Sequence, residues 1–172
     1  MAKHKVFISY YHKDDQFYKE SFETLFGNIF INKSVQDGDI STDVSADYIS
    51  RLIMDGYISD ASVLVVLIGN NTKKRKHVDW EISAALNKKV NGYSGLIGLL
   101  LPTHDNYLKE KYQYDNIPNR LADNVKSGYA KVYNWTENVD TISSIIEKAF
   151  NSRVSDSGLI DNTLVQFTNN RP

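Results

Sequence analysis

The chain has 172 residues, of which 41% are hydrophobic and 24% charged, the composition of one soluble globular domain and short for two. Twenty Lys and Arg stand against 21 Asp and Glu, so bulk charge does not tie the protein to nucleic acid or anionic lipid. With no cysteine, disulfides, a thiol nucleophile and thiolate-held metals are excluded.

The longest apolar runs, residues 63–68 and 96–101, are far short of a membrane span, and residues 6–8 are too few for a signal-peptide core. A cytoplasmic domain is the expectation. In chain order, residues 5–10 read as a first strand, rich in β-branched and aromatic side chains. A helix capped by Asp14 or Asp15 follows, with an apolar face of Tyr18, Phe22, Leu25, Phe26 and Ile29 and a possible end at Gly27. A weak edge strand is expected within residues 30–35, then a polar loop over 36–43. Ser45 is a good N-cap for a helix carrying Ile49, Leu52 and Ile53 and closing near Gly56.

Residues 61–68 form the clearest strand. They lack polar alternation after Ser62, the mark of a central parallel strand covered on both faces. A basic loop over 69–76 leads to a helix with the stripe Val78, Ile82, Ala85 and Leu86. Residues 96–101 are a second central strand, closed by Pro102. A structureless loop as long as segment 103–128 is unusual in a compact domain, and its readings are a short helix, a lid or a partner surface. Residues 130–133 are the last strand, Ile142, Ile145, Ile146 and Phe150 mark the last helix, and the tail beyond Asn151 is polar. Strict alternation predicts an α/β fold: a doubly wound, flavodoxin-like parallel sheet of five strands in the order 2-1-3-4-5, with helices on both faces. One domain over 1–150 and a C-terminal tail over 151–172 are expected.

Such a sheet binds ligands outside the carboxyl ends of its strands near the switch between strands 1 and 3. That crevice should be ringed by residues 9–15, 37–43 and 69–81. No dinucleotide Gly-x-Gly-x-x-Gly, P-loop or Gly-x-Ser-x-Gly motif is present. A phosphoacceptor Asp is missing from the end of strand 3, which disfavours a phosphorylation-dependent switch. The four histidines, at 4, 12, 77 and 104, lack ligand spacing, so no metal site is expected.

Candidate residues each have two readings. Glu81 is either a helix-start acid favoured by the macrodipole or a carboxylate at the mouth of the sheet. Ser9, Tyr10, Tyr11 and His12 are strand-end packing or an aromatic platform with polar groups for a base and its phosphates. Residues 73–76, Lys-Lys-Arg-Lys, are a solvated loop or contacts to pyrophosphate or an acidic partner. Asp37 and Asp39 form a turn, or orient ribose hydroxyls or a metal. Trp80 and Trp135 read as packing residues.

The segment Val6-Phe7-Ile8-Ser9-Tyr10, with Asp14 after it, resembles the opening of TIR domains. Residues 61–70, the basic loop and His77-Val78-Asp79-Trp80-Glu81-Ile82 resemble their third strand and the helix with a Trp-x-x-x-Glu motif. Residues 51–56 and Val132-Tyr133-Asn134-Trp135 bring the chain nearest to the bacterial TIR-like group of Thoeris anti-phage defence, the ThsB group, over roughly residues 3–150. The resemblance implies cleavage of the nicotinamide–ribose bond of NAD+, with NAD+ as substrate and no cofactor, and a cyclic ADP-ribose isomer as an anti-phage signal. It implies Glu81 as the catalytic residue, and Phe7, Ser9, Tyr10, Tyr11, Asp37, Asn70, His77 and Trp80 as substrate-binding residues. His77 stands where the family motif has Trp, and the loop 37–43 corresponds to the family's gating loop. Implied partners are further copies of the chain, through TIR-type contacts, and a separate effector reached by the nucleotide signal, with no nucleic acid or membrane. The alternative is a non-catalytic TIR-like scaffold.

Overall fold

Two runs of six residues have every side chain buried: β3, Val63–Ile68, and β4, Gly95–Leu100. Backbone so covered must find its hydrogen bonds in the sheet, and here both neighbours are parallel strands. In a computed structural model, which describes residues 2–34 and 56–172, β3 lies between β1, His4–Ser9, and β4. β2, Phe30–Asn32, and β5, Lys131–Asn134, form the edges. The sheet is wholly parallel, five-stranded and ordered β2-β1-β3-β4-β5, as the alternation of elements predicts. The register pairs Val6 with Val63 and Val63 with Gly95.

Four helices cover the two faces among the described residues: α1, His12–Phe26; α2, Lys76–Ala85; α3, Asn119–Ser127; and α4, Val139–Ser155. Strand alternation sorts the core. Val6, Ile8, Val63, Val65, Leu67, Ile97 and Leu99 pack with Phe22 and Phe26 of α1 and Ile142, Ile145 and Ile146 of α4. Phe7, Leu64, Val66, Ile68, Leu96 and Leu100 pack with Val78 and Ile82 of α2 and Leu121 and Ala122 of α3. A Cβ on Gly95 would lie 2.2 Å from the Ala149 carbonyl oxygen, so α4 rests directly on the backbone of β4.

Several details differ from the sequence expectation. α1 starts at His12, so Asp14 and Asp15 lie in its first turn rather than at a cap, and Asp15 leaves helical geometry (φ −123°, ψ 15°). Leu25 turns outward at 37% exposure, while Lys19 is buried and ion-pairs with Glu23, an i,i+4 pair that leaves its aliphatic stem in the interior. Segment 103–128 holds a short 3-10 turn, Tyr114–Asn116, and α3, which ends on Gly128 at φ 92°. Past residue 150, α4 continues to Ser155, and residues 161–171 run back over α3 and α2. The expected helix over 45–55 and the loop over 36–43 fall outside the described residues. No helix among those described is long and apolar enough to cross a membrane.

Candidate functional site

β1 ends at Ser9, and Phe7 points to the α2 face of the sheet. A period of two then sends Ser9 to that face as well. On α2, His77 and Glu81 are four residues apart and so share one side of the helix. The two patterns converge: the Ser9 hydroxyl donates to Glu81 Oε1 at 2.7 Å, in a fully buried contact. Glu81 is only 3% exposed. A hydrogen bond to a carboxylate in such surroundings is worth about 1.5–3 kcal/mol and holds the group in one orientation.

One turn earlier, His77 Nε2 lies 2.9 Å from the Tyr10 carbonyl oxygen. A carbonyl only accepts, so Nε2 carries the hydrogen and the tautomer is set by the backbone. Tyr10 stacks on His12 with ring centroids 4.3 Å apart, and the His12 ring meets His77 edge-on at 5.4 Å. Tyr11 lies under the Arg75 guanidinium at 4.6 Å and accepts a hydrogen bond from it at 3.4 Å. The carboxyl end of β1, the start of α1 and the first turns of α2 thus form one cluster: a carboxylate, a hydroxyl, two imidazoles, two tyrosines and a guanidinium. It lies at the switch between β1 and β3, where an open α/β sheet takes its ligands.

Other expected residues go elsewhere. Phe7 is 1% exposed within the core. Trp80 gives its indole N–H to the Phe167 carbonyl at 2.8 Å and carries the Lys76 ammonium over its ring, so its polar edge serves the C-terminal segment. Asn70 is exposed and bonds the Thr103 carbonyl and Asp105, joining the loops after β3 and β4. Asp37 lies outside the described residues. The basic run is engaged within the fold: Lys73 donates to the Asp115 carbonyl and to Asn116.

Sequence reasoning passed over Arg75 as a partner of Tyr11, since a basic run reads as a solvated loop. It took Asp15 for a helix cap at the crevice rim and missed its burial. That side chain is 3% exposed, and its Oδ2 has no hydrogen-bond partner among the described residues. It abuts Gly69, where a Cβ would come within 2.6 Å of the carboxylate. Burial above all, then the neighbouring Asp14 charge, lifts its pKa to about 6, against the opposing pull of Thr72. No group of three or more His, Asp or Glu among the described residues could hold a metal ion.

A family model described as Thoeris protein ThsB, TIR-like domain, matches residues 7–106, more than half of the chain. That span contains Ser9, Tyr10, Tyr11, Arg75, His77 and Glu81. No match to a curated protein was found.

Proposed function

The chain belongs to the TIR-like domain family of Thoeris ThsB proteins, and from that premise we propose that it breaks the nicotinamide–ribose bond of NAD+ and makes a cyclic ADP-ribose isomer as an anti-phage signal. The observation that carries this reading is Glu81: a carboxylate at the switch of the sheet, oriented by Ser9 and flanked one turn away by His77.

Loss of nicotinamide from the anomeric carbon develops positive charge on the ribose. A carboxylate already oriented beside it lowers that barrier without reorganising during the reaction. The bond to Ser9 occupies one oxygen of Glu81 in the resting site, and the carboxylate also accepts ribose hydroxyls in the proposed complex. Nicotinamide leaves as a neutral amide carrying the bonding pair, so its departure requires no general acid. In the proposed complex the half-buried His12 ring, backed by the buried Tyr10 ring and met edge-on by His77, is the flat surface offered to the nicotinamide or adenine ring, and His77 takes the place of the family Trp. Attack by water gives ADP-ribose, nicotinamide and a proton. Attack by an adenine nitrogen or a ribose hydroxyl of the same molecule gives a cyclic isomer, nicotinamide and a proton. In this reading NAD+ is substrate, several copies of the chain assemble to complete the site, and a separate effector senses the product.

The test is mass spectrometry of NAD+ incubated with concentrated protein and with Glu81→Gln, alone and with lysates of infected and uninfected cells. The expected result is loss of NAD+ with a cyclic or hydrolysed product that vanishes in Glu81→Gln. The burial of Glu81 against Ser9 also suits a structural carboxyl in a non-catalytic scaffold. Absence of turnover in every condition, with defence intact in Glu81→Gln, would establish that second reading.

A further inference from the structure

α2 is short, and it carries both His77 and Glu81. Its own cap residue, Arg75, makes no side-chain cap bond. The amide of Lys76 donates instead to Asn170 Oδ1 at 2.9 Å, from 94 residues along the chain. The same outlying segment follows the helix along its whole length. Asp79 Oδ2 accepts the Phe167 amide at 2.9 Å, and Trp80 donates to the Phe167 carbonyl. Ser83 accepts from Gln166 through its hydroxyl and from Asn162 through its carbonyl, and Asn162 also reaches Asn87. Just before the helix, the Lys74 carbonyl accepts the Arg171 amide at 2.8 Å.

The positions used are 76, 79, 80 and 83 in the helix and 87 just past its end. They repeat at three and four residues and so form one stripe. Positions 77 and 81, which meet Tyr10 and Ser9, form another. One stripe of α2 is therefore bonded to the outlying segment and another to the site. Arg120 of α3 locks the arrangement from the side. Its buried guanidinium bonds both Asp79 oxygens, the Leu164 carbonyl and Asn162 Oδ1. None of these partners beyond residue 106 lies in the span matched to the family.

We propose that residues 161–171 are a positioning brace for α2, and that Asn170, by capping the helix from outside it, is a positioning residue that holds His77 and Glu81 against the end of β1. Losing a cap frays the first turn, and the first turn contains His77. A small displacement of a reacting carboxylate is costly to rate. The catalytic consequence rests on the reading of Glu81 given above, whereas the geometric consequence does not.

The experiment uses the full chain with Asn170→Ala and, as control, Asn138→Ala. Asn138 caps α4 by the same bond, accepting the Thr141 amide at 2.9 Å, and both asparagines are exposed. Both variants should fold and lose similar thermal stability. Carbon-13 NMR of side-chain-labelled glutamate resolves six carboxyls, at 20, 23, 81, 110, 137 and 147. The Glu81 resonance and its titration should move in Asn170→Ala and stay in place in Asn138→Ala. Where the unaltered chain turns over NAD+, kcat should fall several-fold in Asn170→Ala with KM nearly unchanged. Equal behaviour of the two variants at Glu81, moved or unmoved, would overturn the brace. A chain without NAD+ turnover would sink the catalytic reading, and the NMR comparison would still decide the brace.

Discussion

Replacing Arg120 with Met leaves a carboxylate stranded in the interior. The side chains of Arg120 and Asp79 are 1% and 5% exposed, and the pair is bonded at 3.0 Å through Nε and 3.3 Å through the second terminal nitrogen. After substitution Asp79 keeps the Phe167 amide, and the Leu164 carbonyl and Asn162 lose their shared donor. Removing one partner of a buried pair costs about 3–5 kcal/mol, mostly the penalty of the charge left behind. At ~2–4 °C per kcal/mol for a chain of this size, the midpoint should fall by roughly 6–20 °C. Adding Asp79→Leu removes the stranded charge, so the double variant should be more stable than Arg120→Met alone, even though the Phe167 amide then lacks its acceptor. Urea and thermal denaturation of both single variants and the double variant complete the cycle. A loss below about 1 kcal/mol in Arg120→Met, or strictly additive effects, would refute the assignment of this pair as a buried, coupled unit.

Asp15 has the opposite character, an acid that the fold prefers neutral. Its folded pKa of about 6 exceeds the ordinary 3.8, so the native state holds the extra proton between those values, and stability is full below the lower one and declines as pH rises through about 6. Asp15→Asn should therefore gain on the order of 2 kcal/mol at pH 7.5 and nothing near pH 4, by urea midpoints against pH. Parallel profiles for the two proteins would discount the burial argument. Gly95→Ala should destabilise by more than ~3 kcal/mol, because its Cβ would lie 2.2 Å from the Ala149 carbonyl and backbone must move. Gly98→Ala meets only side chains, at 2.7 Å from Ile68 and 3.0 Å from Leu121, and should lose less in the same melting assay. Glu81→Gln should abolish NAD+ consumption while leaving the melting temperature within a few degrees, read by mass spectrometry and calorimetry together.

Strand type, strand order and the carboxyl-edge location of the candidate site were legible in the sequence because they follow from local periodicity. Unbroken apolar runs at 63–68 and 96–101 admit little besides central parallel strands, and strict alternation with helices then orders the sheet. The sequence put Glu81 near the start of the helix after the basic loop and Ser9 near the carboxyl end of a first strand expected over 5–10, which the structure places one residue earlier, at His4–Ser9. The partners of these residues were not legible. Nothing local shows that Ser9 and Glu81, 72 positions apart, share a hydrogen bond, or that Trp80 turns its N–H to Phe167 rather than to the site. The apolar stripe of the first helix did not announce that Lys19 is buried and paired with Glu23. The polar segment 161–171 carries few apolar residues to announce burial. Its position is set by backbone groups, amide side chains and one buried guanidinium, and such bonds have no periodicity in sequence. Hydrophobic patterning, being local and repetitive, was enough to determine the layers of this protein. Hydrogen bonds and charges between distant residues, which act only once the layers have met, decided the orientation of α2 and with it the geometry around Glu81.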